Sequence, residues 1–335
     1  MKTKRGLSIE EAANLLEQGE VVAFPTETVY GLGADATSDQ AVAKIFAAKG
    51  RPGDNPLIVH IGAVEQLRLV VSDVTEKAKR LMDAFWPGAL TIILPKQAGI
   101  SSGVTAGLST VGVRLPSHPV ALTLFQTVTC PIAGPSANVS GRPSPTRADH
   151  VAEDLDGKIA GILDGGETEV GLESTVIDCS VEPPVILRPG GVTKEAIEAV
   201  IGAVGGAEAL QGENAAPKSP GMKYRHYAPE APMAIVRGDA AFFQSVIEKA
   251  QREGKKVGIL VTEESETTYQ ADLVLTCGTK ADLSTVAKKL YETLRAFNHH
   301  DIDVIYSESF AEKGLGEALM NRLFKAAGNR VISSD

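Results

Sequence analysis

Cysteine is scarce in this chain. Cys130, Cys179 and Cys277 are widely spaced and contain no Cys-x-x-Cys, which excludes both a disulfide framework and a cysteine-based zinc site. Histidine is scattered in the same way: of six residues only His299 and His300 are neighbours, and they adjoin a helix end and read as solvated rather than as ligands. No uncharged apolar run approaches the length of a membrane span. Met1 to Arg5 leads into a polar helix and not into the apolar core of a signal peptide, so the expectation is a cytoplasmic chain that avoids membranes. There is no internal repeat and no low-complexity tail. The formal charge of −9 argues against a dedicated nucleic-acid binder, although a local basic cleft remains compatible with it.

What is present is enough apolar material for two ordinary domains: 335 residues, 43% hydrophobic. Ser8-Ile9-Glu10-Glu11 is a capping box opening a helix that ends near Gly19. Strand Val21–Phe24 follows, then a helix over Asp39–Lys49 with Gly50 as its cap and a strand over Leu57–Ile61. Further strands are expected at Leu90–Leu94, Val111–Leu115, Pro131–Ala133, Thr175–Asp178 and Val185–Arg188, mixed with helices. Adjacent strand pairs alongside strand–helix alternation predict an α/β domain with a twisted, mixed sheet over residues 1–205. Residues 206–232 are rich in Gly, Pro and polar side chains and read as a linker. Residues 233–335 alternate strand and helix cleanly, the pattern of a small Rossmann-like domain.

The densest chemistry lies in Lys49-Gly-Arg51-Pro-Gly-Asp-Asn55-Pro56. A Gly/Pro-stiffened loop presenting Lys49, Arg51 and Asn55 beside a strand suits a polyanion such as nucleotide phosphates; alone, it would read as a solvated basic loop. Gly31-Leu-Gly-Ala-Asp-Ala36 matches a dinucleotide fingerprint in letters only, because Pro25–Tyr30 separates it from the preceding strand. Gly314-Leu-Gly316 reads as a helix start. Gly134-Pro-Ser136-Ala-Asn138 is no nucleophile elbow, and Ser136 and Ser144 suit hydrogen bonds to phosphate or ribose, or a simple turn. Ser174 opens a strand, where it is either functional or an edge hydroxyl. His60 and Arg114 sit inside apolar strands. His60 has an ordinary reading as a core histidine. A buried guanidinium needs an anion, either an internal carboxylate or a substrate carboxylate, and the latter is the expectation here.

Pro25–Gly33 and Lys49–Ile61, followed in order by Ser109–Pro116, Gly134–Gly141, Gly171–Asp178, Ile186–Gly190 and Ser219–Pro229, resemble the YrdC-type family. The resemblance covers essentially the whole chain and is to the long, two-domain threonylcarbamoyl-AMP synthases. It implies a nucleotidyltransferase that joins L-threonine, bicarbonate or carbon dioxide and ATP into threonylcarbamoyl-AMP and pyrophosphate. The product would pass to a downstream threonylcarbamoyl transferase for tRNA modification. It places Thr28, His60, Arg114, Gly134 and Ser174 in a threonine pocket. It places Arg51, Asn55, Thr110, Ser136, Ser144, Arg188 and Tyr227 on ATP, with Lys49 as a phosphate ligand. The linker would then be a lid, and Mg2+ would accompany the phosphates. Two alternatives share the fold: a non-catalytic RNA-binding module, and a carbamoyl-adenylate enzyme of hydrogenase maturation, whose extra regions are missing. Direct tRNA contact is left open by the sequence.

Overall fold

The computed structural model describes residues 2–206 and 226–334. Most of the expected linker, and with it most of the expected lid, lies outside the described residues. The chain divides into two compact units. The first comprises Met1–Ser140, Pro145–Glu169 and Glu173–Tyr224; the second comprises Gly141–Ser144, Val170–Leu172 and Arg225–Asp335.

Among the described residues of the first unit, eleven strands form one mixed sheet. Its middle is the run Val22–Phe24, Gly31–Asp35, Ile132–Gly134, Ile58–His60, Thr110–Arg114, Leu90–Pro95, Thr175–Asp178, each hydrogen-bonded to the next. Ile58–His60 and Thr110–Arg114 run parallel, with His60 opposite Arg114. Ile132–Gly134 runs antiparallel to Ile58–His60 on the other side. These strands are buried on both faces, which is why they read as continuous apolar runs rather than as alternating ones.

Local chemistry explains the helices that flank them. Ser8 caps Ile9–Glu17 reciprocally: Glu11 N–H donates to its hydroxyl and Glu11 Oε2 accepts from its N–H at 2.9 Å. Helix Asp39–Lys49 starts at Ser38 and stops at Gly50, whose φ of 61° is left-handed backbone that glycine adopts without steric cost. That stop delivers Lys49 and Arg51 to the next loop.

Lys4–Arg5, Gly31–Asp35, Gly205–Gly206 and Val331–Ser333 were not foreseen as strands. Gly31–Asp35 pairs antiparallel with Val22–Phe24, so Pro25–Tyr30 is the loop of a wide hairpin. The two glycines of the Gly-x-Gly sequence serve packing: a Cβ on Gly31 would stand 2.5 Å, and one on Gly33 2.7 Å, from the Phe24 ring. They make room for an aromatic ring, and not for a pyrophosphate.

Among the described residues of the second unit, five parallel strands run in the order Leu273–Thr276, Val257–Val261, Val304–Ser307, Met233–Arg237, Val331–Ser333. Gly314 precedes helix Leu315–Ala326, as its helix-start reading requires. At the carboxyl ends of these strands Glu308 is buried but fully satisfied. It accepts from Thr262 N–H at 2.9 Å, Ser265 Oγ at 2.7 Å and Lys280 Nζ at 2.9 Å.

Candidate active site

The carboxyl ends of Ile58–His60 and Thr110–Arg114, together with the Pro25–Tyr30 loop, collect a group of buried polar side chains. Arg114 is 4% exposed. Its Nε donates to Gly88 O (3.1 Å), Nη1 to Thr28 Oγ1 (2.8 Å) and Nη2 to Glu27 Oε1 (2.6 Å). The Thr28 hydroxyl lies 2.8 Å from Thr26 Oγ1, which itself donates to Val29 O at 2.6 Å, so Thr28 must be the donor of that pair. A chain of hydroxyls therefore locks the guanidinium from one side and a carboxylate from another. The internal ion pair and the substrate carboxylate, opposed in the sequence reading of Arg114, are both compatible with the structure: the pair with Glu27 is there, and a fork with five donors has capacity beyond the three bonds named.

His60 lies beside Arg114 in the strand register and packs in a three-ring cluster with Phe24 (ring centroids 5.5 Å) and Phe125 (5.7 Å), which also touch each other (5.0 Å). Burial above all, and the Arg114 charge second, push its imidazolium down to about 3, so the ring is neutral at physiological pH. Its Nδ1 is buried and has no hydrogen-bond partner among the described residues.

Gly134 ends the neighbouring strand, where a Cβ would meet Leu32 O at 2.5 Å. Ser174 is fully buried. Its Oγ shares a hydrogen with Thr91 Oγ1 at 2.8 Å and accepts from Arg188 Nη2 at 3.2 Å, while its carbonyl accepts from Arg188 Nη2 at 2.9 Å.

A second group forms around Lys49. Its buried ammonium donates to the carbonyls of Ser136 and Asn138, each at 2.5 Å, and Ser136 Oγ donates to Asn138 Oδ1 at 2.5 Å. Arg51 Nη2 donates to the carbonyls of Asn55 (3.3 Å) and Pro56 (3.2 Å); Asn55 is 2% exposed, with its Oδ1 unpartnered among the described residues. Backbone bonds from Leu32 to Pro135 (2.8 Å) and from Ala137 to Tyr30 (2.9 Å) stitch the Ser136 loop to the hairpin that carries Thr28. Thr110 stands at the opposite end of its strand from Arg114, about 13 Å along it at 3.3 Å per residue. The expected threonine residues Thr28, His60 and Arg114 are thus gathered at one end, with Ser174 and Arg188 in a separate network. Lys49, Ser136, Arg51 and Asn55 form groups of their own. The remaining two, Ser144 and Tyr227, belong to the second unit, where Tyr227 stacks on Tyr291 at 5.2 Å.

Three participants escaped the sequence reading. Glu27 and Asn138 stand within the quoted motifs and Thr91 inside the expected strand Leu90–Leu94, and each is buried: Glu27 and Asn138 at 4%, Thr91 at 0%. Nothing in their immediate neighbours distinguishes them from ordinary polar turn or strand residues.

The first unit thus combines a buried, partnered arginine in a mixed α/β sheet with a loop that carries a lysine and an arginine. The comparisons are more specific. Residues 14–190 match the family model Sua5_yciO_yrdC, described as "Telomere recombination", and residues 192–328 match the C-terminal domain of threonylcarbamoyl-AMP synthase. A threonylcarbamoyl-AMP synthase of Bacillus subtilis is 57% identical, covering 97% of this chain and 94% of the relative. One from Pyrococcus abyssi is 49% identical, with 97% and 95% covered. The crystal structure of P. abyssi Sua5 complexed with L-threonine superposes with a TM-score of 0.92 at 48% identity, covering 100% of this chain and 99% of that one. The chain belongs to the threonylcarbamoyl-AMP synthase family of the Sua5 type.

Proposed function

We propose that this chain forms threonylcarbamoyl-AMP and pyrophosphate from L-threonine, bicarbonate or carbon dioxide, and ATP. The observation that carries the reading is the agreement along nearly the full length of both partners with proteins of that name. In this chemistry the threonine amine captures carbon dioxide as a carbamate, and a carbamate oxygen displaces pyrophosphate from the α-phosphorus. No protein nucleophile is needed. The protein's task is to align a labile carbamate with the α-phosphate and to neutralise charge as pyrophosphate leaves.

Each side chain takes a part in this scheme. Arg114 would grip the threonine carboxylate, with Thr28 and the neutral His60 shaping the side-chain end and Gly134 and Ser174 completing the pocket. Lys49, Arg51 and Arg188 would supply positive charge to the phosphates, with Asn55, Thr110 and Ser136 adding hydrogen bonds. Ser144 and Tyr227 are assigned to ATP by family resemblance alone. Among the described residues no three His, Cys, Asp or Glu side chains converge as a metal cage. Magnesium would therefore be carried mainly by the phosphates and water, and no step above depends on a protein-held ion. Delivery of the product to a threonylcarbamoyl transferase for tRNA modification, and a cytoplasmic setting, belong to the same proposal. Among the described residues no helix is long and apolar enough to cross a membrane.

The test is pyrophosphate release from ATP. It is expected only when threonine and bicarbonate are both present. Equal release without threonine would refute the synthase reading, and salt-dependent RNA binding without turnover would favour the non-catalytic module instead. Serine, lacking one methyl, should be a poorer substrate, but by only about 1–3 kcal/mol.

A further inference from the structure

We propose that Glu27 is a substrate-recognition residue: its second carboxylate oxygen, Oε2, takes the α-ammonium of the amino acid whose carboxylate is held by Arg114. The inference rests on the synthase reading and adds a group that the motifs left without a role. Glu27 is 4% exposed. Its Oε1 is committed to Arg114 Nη2 at 2.6 Å, while its Oε2 is buried with no hydrogen-bond partner among the described residues. A buried carboxylate oxygen with nothing to accept is costly, and native proteins rarely keep one without a purpose. The missing group must be a donor, since a carboxylate oxygen only accepts.

Charge narrows the choice of donor. At this end of the strands Arg114 contributes one positive charge, Glu27 one negative, and His60 is neutral. The site is therefore balanced before any ligand arrives. A ligand bringing only a carboxylate would leave a buried excess of negative charge, and one bringing only an amine would leave the opposite. A zwitterion keeps the balance, with each of its charges facing an opposite one. In an α-amino acid the ammonium and carboxylate are held on one carbon, and Oε2 shares its carboxylate carbon with the oxygen that binds Arg114, so the two opposite charges of the site are neighbours as those of the ligand are. The pair is thus a clamp for α-amino acids, and it discriminates against hydroxy acids of the same shape.

Calorimetric titration can separate this from a purely structural role. The ligands are L-threonine and 3-hydroxybutanoate, which is threonine without its amine. The wild-type chain should bind threonine at least about tenfold more tightly, the scale of one charge-assisted hydrogen bond. Comparable affinities would overturn the proposal with no variant needed. Glu27→Gln keeps the size of the side chain and, if Glu27 binds the ammonium, should narrow the threonine preference by about tenfold or more. If Glu27 acts only by fixing Arg114, both ligands weaken together and the ratio stays unchanged. Wild-type pyrophosphate release keeps the two readings apart: release that depends on threonine alongside an unchanged ratio sinks the clamp and leaves the synthase standing.

Discussion

Acidification should weaken the first unit through one side chain, His60. Its imidazolium is pushed down to about 3 in the folded chain, against 6.5 for the group in water, chiefly by burial, with Phe24 and Phe125 packed against the ring. Between those two values the unfolded chain binds a proton at this position and the folded chain does not, so stability falls as pH falls through 6.5 and goes on falling toward 3. At pH 5 the folded ring is still neutral, and the loss relative to pH 7 amounts to about 2 kcal/mol at about 1.4 kcal/mol per pH unit. The control is His60→Phe, which keeps an aromatic ring packed against the two phenylalanines but cannot titrate. Other groups titrate in both proteins and cancel in the comparison. Trp86 is the chain's single tryptophan and lies in the first unit with Nε1 bonded to Leu90 O at 2.7 Å, so its fluorescence reports that unit's unfolding separately. Urea midpoints at pH 5, 6 and 7 should show the wild type losing about 2 kcal/mol more than His60→Phe. Parallel pH slopes in the two proteins would refute the argument and place His60 in contact with water.

Two further outcomes follow from the same site. Arg114→Ala should abolish measurable threonine binding and, by leaving Glu27 as an uncompensated buried charge, cost about 3–5 kcal/mol of stability, while Arg114→Lys should restore only part because a point charge cannot replace the fork; unchanged threonine affinity by calorimetry in a folded Arg114→Ala chain would show that the pocket lies elsewhere. Gly134→Ala would push a methyl to 2.5 Å from Leu32 O, a backbone atom unable to step aside, and should lower the Trp86-monitored midpoint by an amount equivalent to about 1–3 kcal/mol together with threonine affinity; an unaltered melt would mean that the strand pair shifts freely.

How far the sequence carried depended on how local each cause was. The capping box at Ser8 and the glycine stop at Gly50 are complete within a few residues, and helices Ile9–Glu17 and Asp39–Lys49 follow them closely. Strand Gly31–Asp35 was hidden because its two glycines answer to the Phe24 ring, across a hairpin, and because Gly-x-Gly suggests a turn. Lys4–Arg5 and Gly205–Gly206 have no apolar alternation at all and are strands only through their partners. In the site, Arg114 stood out because a cation inside an apolar strand demands an explanation. Glu27 did not, since an acid in Pro-Thr-Glu-Thr resembles any solvated turn; what buries it is an arginine 87 residues away. Thr91 has the same history, with its partner Ser174 lying 83 residues further on.

The strand order of the first unit also bears on how the chain can be made. Lys4–Arg5 is made long before its partner in the sheet, Gly161–Ile162, which also forms one flank of Val22–Phe24. At about 5–20 residues per second, the intervening stretch takes on the order of 10–30 s to synthesise. The hairpin with Gly31–Asp35 can close one side of Val22–Phe24 within moments of its emergence, but the other side stays open for that whole interval. Leu90–Pro95 waits in the same way for Thr175–Asp178. A nascent chain of this protein therefore exposes apolar strand edges, the kind of surface that invites mispairing, until residues 161–178 have been made.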